Sequence, residues 1–281
     1  MASLDRTLRR VVPSVAKLSY NPAFRALVDL WDLPPRLWFR EFRRLPPNHL
    51  RIRIGVGNRI FANQVEYLTA RIASFWVAMA LEGLWSLEST ILEIGCGCGR
   101  TAEFLRDFKQ YDRRFNGHYY GIDIDGEMLT WCRRNFDDER FTFIRSSHAN
   151  KAYVRDSSSG AAYRIDLPDE SVDFIYSHSL FSHLLEAELR NYMEEGYRLL
   201  CPGRAMNMSV FCLDYPPPTH GARHTFRHRI DNAMVESLAV PEAAIAYRED
   251  FLMRMAKEIG FSRTEMRHSP DTWQPALICW K

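Results

Sequence analysis

A chain of 281 residues and 32.9 kDa has room for one large α/β domain, or for one domain with a helical extension. With 46% hydrophobic and 26% charged residues it can bury a sizeable core, which excludes general disorder. Its 37 basic and 35 acidic residues leave a formal charge of +2, unlike the basic excess of a dedicated nucleic-acid binder, so no nucleic-acid partner is expected. No apolar run reaches the ~18–20 residues that span a bilayer, and Met1–Arg6 lacks the apolar core of a signal peptide. No stable membrane insertion is expected. Cys96, Cys98, Cys132, Cys201, Cys212 and Cys279 lie mostly in apolar stretches without CxxC spacing and read as reduced thiols of a cytoplasmic protein.

Residues 1–85 read as a helical extension, cut into short pieces by Pro13, Pro22, Pro34-Pro35 and Pro46-Pro47. Its first 45 residues hold nine Lys/Arg against four Asp/Glu. Leu4, Leu8, Val11, Val12 and Val15 recur at helical spacing beside Arg6, Arg9 and Arg10. A membrane-surface or substrate-covering helix would have this pattern. Pro13 interrupts it, however, so the favoured reading is a solvated basic face packed on its own domain or on a second subunit, as in a homodimer formed through these helices. Phe61, Tyr67, Phe75 and Trp76 read mostly as core.

The period changes at Ser89. Thr90–Ile94 is a short β-branched run ending in glycines, as a buried parallel strand should be. A helix is expected over Thr101–Phe108, a strand over His118–Ile122, a helix over Gly126–Asn135 and a third strand over Phe141–Ile144. Val172–Tyr176 reads as the fourth strand and Leu185–Leu200 as a helix stopped by Cys201-Pro202-Gly203. Ala205–Leu213 reads as the fifth strand. Residues 214–247 break the alternation and read as a lid or substrate-binding insertion. A helix over Arg248–Ile259, capped by Gly260, precedes closing strands Arg263–Arg267 and Ala276–Trp280. Strands alternating with helices imply a mostly parallel α/β sheet covered on both faces, in a domain spanning 86–281.

The strongest chemical signal is Leu92-Glu93-Ile94-Gly95-Cys96-Gly97-Cys98-Gly99-Arg100 at the end of the first strand. Glycines let backbone approach a ligand closely, and the helix that follows offers free N–H donors. A dinucleotide fingerprint would place its third glycine at position 100, where Arg100 stands. An acid followed by GxGxG resembles the first motif of the class I S-adenosylmethionine-dependent methyltransferases. The resemblance runs over roughly 86–281 and is nearest to the bacterial branch that modifies small molecules. It implies a Rossmann-like seven-stranded sheet, with S-adenosylmethionine as cofactor and S-adenosylhomocysteine as product. It also implies a glycine loop beneath the methionine moiety, with Glu93 orienting the amino end.

Asp123, in Tyr120-Gly121-Ile122-Asp123-Ile124-Asp125, ends the second strand thirty residues after Glu93, where a carboxylate can accept both ribose hydroxyls. Asp125 reads as a helix cap, with Met128 one turn in. The cofactor-binding set implied is therefore Glu93, Gly95, Cys96, Gly97, Gly99, Asp123, Ile124 and Met128. Ser147 and His148 join it in place of the adenine acid that many relatives carry after the third strand, and Ser177 joins it at the end of the fourth.

After the fourth strand, Tyr176–His183 contains neither the Asn/Asp-Pro-Pro-Tyr of amino-group methyltransferases nor the acid of metal-dependent catechol-type enzymes. A metal-free enzyme is expected. His183 and His178 are the candidate bases, since a neutral imidazole can take a proton from a hydroxyl as the methyl arrives. His220, His224 and His228 are spaced by four but lack a carboxylate to complete a metal site. The expected function is methyl transfer to a small-molecule oxygen, hydroxyl or carboxyl, by metal-independent in-line displacement. The alternatives are a peptide or protein acceptor, or a cofactor-binding protein without turnover.

Overall fold

The computed structural model describes residues 18–54, 70–110, 112–146, 163–215, 224–268 and 274–281. The amphipathic stretch Leu4–Val15, and Phe61 and Tyr67, lie outside them. Among the described residues the first α-helices are α1 (Pro22–Trp31), α2 (Leu33–Trp38), α3 (Asn48–Arg51) and α4 (Ala70–Leu81). Proline marks the start of the first three, with Pro22 and Pro34 in the first turns of α1 and α2 and Pro47 just before α3. Pro22 occupies the first turn of α1, behind Asn21, whose side chain accepts from Ala23 N and Phe24 N.

The alternating region begins with β1 (Thr90–Ile94) and α5 (Arg100–Asp107), followed by a short antiparallel pair, β2 (Lys109–Gln110) and β3 (Arg113–Arg114). β4 (His118–Asp123), α6 (Gly126–Asn135), β5 (Phe141–Arg145), β6 (Val172–Ser177), α7 (Glu186–Leu199) and β7 (Leu200–Ser209) come next. Four short strands, β8 (Phe211–Cys212), β9 (His228–Ile230), β10 (Ala233–Val235) and β11 (Ile245–Tyr247), precede α8 (Glu249–Ile259), β12 (Arg263–Arg267) and β13 (Ala276–Trp280).

Seven strands form one sheet in the order β12-β13-β7-β6-β1-β4-β5, in which β13 alone runs antiparallel to its neighbours. Its central strands are buried on both sides, as parallel strands between helical layers must be. One core, around Leu92, Ile175, Met193 and Leu252, lies under α7 and α8. The other, around Trp76, Trp85, Phe115 and Phe174, lies under α4 and α5. The chain leaves β1 towards β4 and β5, then returns to β6 on the other side. The carboxyl end of β1 is thus the switch point where a ligand crevice opens.

The structure moves two expected boundaries. β7 starts at Leu200, directly after α7, because the Cys201-Pro202-Gly203 stretch pairs in the sheet: Val172 faces Leu200, and a register shift follows before Phe174 faces Ala205. Pro202 has no N–H to give a ladder, and Gly203 takes φ +76° while donating to Lys281 O, so the irregularity falls there. The 214–247 insertion contributes three of the four strands of a second sheet, β8-β11-β10-β9, in which β8 supplies the fourth. Strands of two or three residues are too short to show a period.

Residues 18–54 are fixed to the sheet by charge. The buried Arg53 guanidinium donates to Ser19 Oγ (2.9 Å), Ser19 O (3.1 Å) and Asp125 Oδ2 (3.0 Å), and lies 2.9 Å from Glu127 Oε2. Tyr20 OH also donates to Asp125 Oδ2, and its ring centroid lies 3.9 Å from the Arg53 guanidinium carbon. Removing one partner of a buried pair leaves the other uncompensated. Arg53→Ala is expected to lower stability by about 3–5 kcal/mol, read from the midpoint of chemical unfolding of the full chain.

Candidate active site

β1 ends in a loop whose three glycines hold left-handed backbone, with φ of +84° at Gly95, +54° at Gly97 and +69° at Gly99. A Cβ on Gly99 would also meet the Phe136 ring at 2.9 Å. The loop is anchored from below, where Gly95 N and Cys96 N both donate to Ile122 O. Cys96 turns its thiol towards Gly121, away from the crevice, so only its backbone is available to a ligand. Cys98 is buried with Leu50 and Met128, and Ile54 packs against this cluster. The Ile54 side chain lies 3.6 Å from where a Gly97 Cβ would be, so the N-terminal segment roofs the loop.

Glu93, the last residue but one of β1, is buried. Its Oε2 accepts three hydroxyls: Thr101 Oγ1 at 2.5 Å from the first turn of α5, Tyr176 at 2.7 Å from β6, and Tyr119 from β4. All three fall on one oxygen, leaving Oε1 without a protein donor among the described residues. Burial raises the carboxyl to about 7, against the pull of these hydroxyls in the other direction.

Asp123 ends β4 on the same side of the loop. Its Oδ2 accepts from Gly97 N at 2.8 Å and its Oδ1 from Asp125 N at 2.9 Å, while burial raises it to about 6. Asp125 caps α6 as expected, with Oδ1 accepting from Glu127 N and Met128 N. Ile124 is half-buried beside it. Among the described residues neither Glu93 nor Asp123 forms an ion pair, so one buried and one half-buried carboxylate flank the glycine loop, with the charge of Arg100 acting on Glu93 from beyond contact distance. Met128 points into the cluster with Leu50. Ser147 and His148 lie outside the described residues.

At the end of β6, Ser177 Oγ donates to Ile94 O at 2.7 Å, so its proton faces the sheet. Ser179 follows with φ +60°, a strained value for a residue with a Cβ. The turn is held by Ser209 Oγ, which accepts from Ser179 N. Gln274 also holds it, accepting from Ser179 Oγ and donating to Ser182 Oγ. His178 packs edge-on against Phe75, with ring centroids 4.6 Å apart. Burial, and then the nearby charge of Arg100, lowers it to about 4, so the ring is neutral near pH 7.

His183 ends a 3₁₀ turn over Phe181–His183, and its Nδ1 lies 2.8 Å from Glu242 O, in the 3₁₀ turn Pro241–Ala243 of the insertion. A carbonyl only accepts, so Nδ1 carries the proton and the neutral ring has its lone pair on Nε2. Burial lowers the His183 pKa and keeps the ring neutral. His224 packs on Phe211, His228 opens β9, and His220 lies outside the described residues. Among the described residues no group of three His, Cys, Asp or Glu side chains could hold a metal ion.

Sequence reasoning passed over Thr101, Tyr119 and Tyr176 as helix and core residues, and it passed over Arg53 and Gln274. Only the burial of Glu93 signals that hydroxyls must converge on it.

Residues 92–206 match the family described as methyltransferase domain. Among solved structures the chain is similar to a candidate O-methyltransferase from Nostoc punctiforme, at 16% identity over 75% of this chain and 56% of that one, with TM-score 0.50. It is similar also to a SAM-dependent methyltransferase from Aquifex aeolicus (18% identity, 75% and 90% of the two chains, TM-score 0.44). A third is the 1,6-didemethyltoxoflavin-N1-methyltransferase of Burkholderia thailandensis, solved with 1,6-didemethyltoxoflavin and S-adenosylhomocysteine (14%, 76% and 77%, 0.46). At such identities the likeness is one of fold.

Glu93 makes a signed contribution to stability. The folded carboxyl holds its proton up to about pH 7, whereas an unfolded glutamate releases it near 4.5. Its contribution is therefore fully present below pH 4.5 and is lost as pH rises through 7. Unfolding curves of wild type and Glu93→Gln, subtracted at each pH, are expected to show wild type losing ground between pH 4.5 and 7 and a flat difference above.

Proposed function

We propose that the chain is a class I S-adenosylmethionine-dependent methyltransferase that methylates an oxygen of a small-molecule acceptor by metal-independent in-line displacement, a reading supported by the methyltransferase-domain match over residues 92–206. When bound, S-adenosylmethionine supplies a methyl group carried on a positively charged sulfur. Two carboxylates that form no ion pair among the described residues suit such a ligand, whose ammonium and hydroxyls can pair with them. Glu93 Oε1 would hold the ammonium and the Asp123 carboxylate would accept the ribose hydroxyls, while the backbone of Gly95, Cys96, Gly97 and Gly99 would serve the methionine moiety. Ile124 and Met128 would serve the ribose, Ser147 and His148 the adenine, and Ser177 would complete the cofactor site at the end of β6.

The single observation that carries the oxygen acceptor is the tautomer of His183. With its proton on Nδ1 and held by the Glu242 carbonyl, the ring can take a hydroxyl proton at Nε2 while the acceptor oxygen attacks. His178 is the weaker candidate, since a ring protonated only near pH 4 has little pull on a hydroxyl proton. The N-terminal extension and the insertion would serve the acceptor, where the main chemical task is to align acceptor, carbon and sulfur. A cytoplasmic location agrees with six free cysteines.

Two variants test these roles separately. Asp123→Ala is expected to weaken S-adenosylmethionine binding about 10- to 100-fold by calorimetry, from the loss of charge-assisted hydrogen bonds, with the melting transition retained. His183→Ala is expected to lower turnover about 10²–10⁴-fold while cofactor affinity holds. Turnover is measured by mass spectrometry of the methylated acceptor. Turnover of His183→Ala equal to wild type removes the base; tight cofactor binding with no acceptor methylated in any extract returns the chain to a binding protein.

A further inference from the structure

A helix on a folded domain ordinarily turns its apolar residues in and its charges out. The α1–α2 segment does the reverse. Asp32 is only 2% exposed, held between Arg51 Nη2 at 2.5 Å and Arg36 Nε at 2.7 Å. Asp29 faces inward to His49 Nδ1 at 2.6 Å, and Asn48 donates to Val28 O from beneath. The outer surface instead carries Leu27, Leu30, Leu33, Leu37, Trp38 and Phe39, with Leu37 71% and Trp38 79% exposed. Large apolar groups gathered at such exposure mark a surface that meets something apolar.

The charge around this face says what. Leu33–Arg44 carries Arg36, Arg40, Arg43 and Arg44 against the single acid Glu41. Arg43 is tied to the carbonyls of Arg36 and Leu37, which sets its guanidinium beside the apolar face; Arg40 before it and Arg44 after it are exposed, Arg44 in a solvent-facing pair 3.3 Å from Asp107 Oδ2. The asymmetry extends to the whole chain. Residues 1–45 hold nine bases and four acids, leaving the other 236 residues with 28 bases against 31 acids. Exposed arginines beside an exposed apolar face favour contact with an anionic surface. A second copy meeting this face about a two-fold axis would oppose two arginine clusters, which an anionic bilayer does not.

We propose that the outer face of α1 and α2 is a docking surface for an anionic lipid bilayer, bound at the interface without crossing it. Among the described residues no helix is long and apolar enough to cross. Leucine and tryptophan side chains enter the headgroup region, and arginines pair with lipid phosphates alongside.

Co-sedimentation of the full chain with vesicles tests the proposal. Wild type is expected to partition onto phosphatidylcholine vesicles containing phosphatidylglycerol, much less onto phosphatidylcholine alone, and to be released by salt. Leu37→Ser/Trp38→Ser and Arg40→Gln/Arg44→Gln should each lower the partition coefficient about tenfold or more. Retained melting temperatures verify folding, and each pair stands in for the other should one fail to fold. The proposal is overturned if anionic vesicles bind no protein, or bind wild type and both variants equally. It is overturned too if sedimentation velocity shows a dimer that the Leu37→Ser/Trp38→Ser pair abolishes, with no vesicle binding by wild type.

Discussion

Much of the molecule is arranged around one buried carboxylate that forms no ion pair among the described residues. Glu93 sits at the switch point of the sheet, and desolvating its charge is affordable only because hydroxyls from three elements converge on it. The convergence fixes more than the acid. Thr101 seats the first turn of α5, and its carbonyl accepts from the Trp76 indole at 3.1 Å. Tyr176 joins the aromatic wall of Trp76, Phe75 and His178. A ligand entering the crevice thus meets a pre-set carboxylate oxygen on rigid supports, and little protein reorganisation is required.

Asp125, beyond the end of the neighbouring strand, is a second such junction, with three duties on one side chain. It caps α6, receives Arg53 and receives Tyr20. Asp123, two residues earlier, faces the glycine loop. The chain therefore ties its N-terminal segment to the strand end that borders the crevice, and order in one is linked to order in the other. That tie also explains the inverted α1–α2 pair, since inward charges are required to reach α3 and α6, leaving the outer face to apolar residues.

What was legible in the sequence was local. Glu93 and GxGxG, Asp123 at a strand end and Asp125 before a helix are each set by neighbours within a few residues, and the structure places them at those elements. The mostly parallel sheet followed from short apolar runs alternating with helical ones, and the resemblance implied its seven strands. What was not legible joins distant positions: Tyr119 and Tyr176 reach Glu93 across 26 and 83 residues, and Arg53 reaches Asp125 across 72. In the sequence they look like ordinary strand aromatics and one more arginine in a basic region. The small second sheet was hidden for a different reason, since pairing with β8, not periodicity, makes β11 a strand.

The hydrogen bond that sets the His183 tautomer has a consequence for how such a chain can diverge. The acceptor is the main-chain oxygen of Glu242, which every amino acid possesses. Substitution at position 242 therefore leaves the bond intact so long as the 3₁₀ turn Pro241–Ala243 keeps its shape. The imidazole answers to the path of the insertion's backbone and not to its composition. Descendants of this chain are free to rewrite the insertion's side chains, and with them the molecules admitted, while inheriting the same ring nitrogen in the same protonation state.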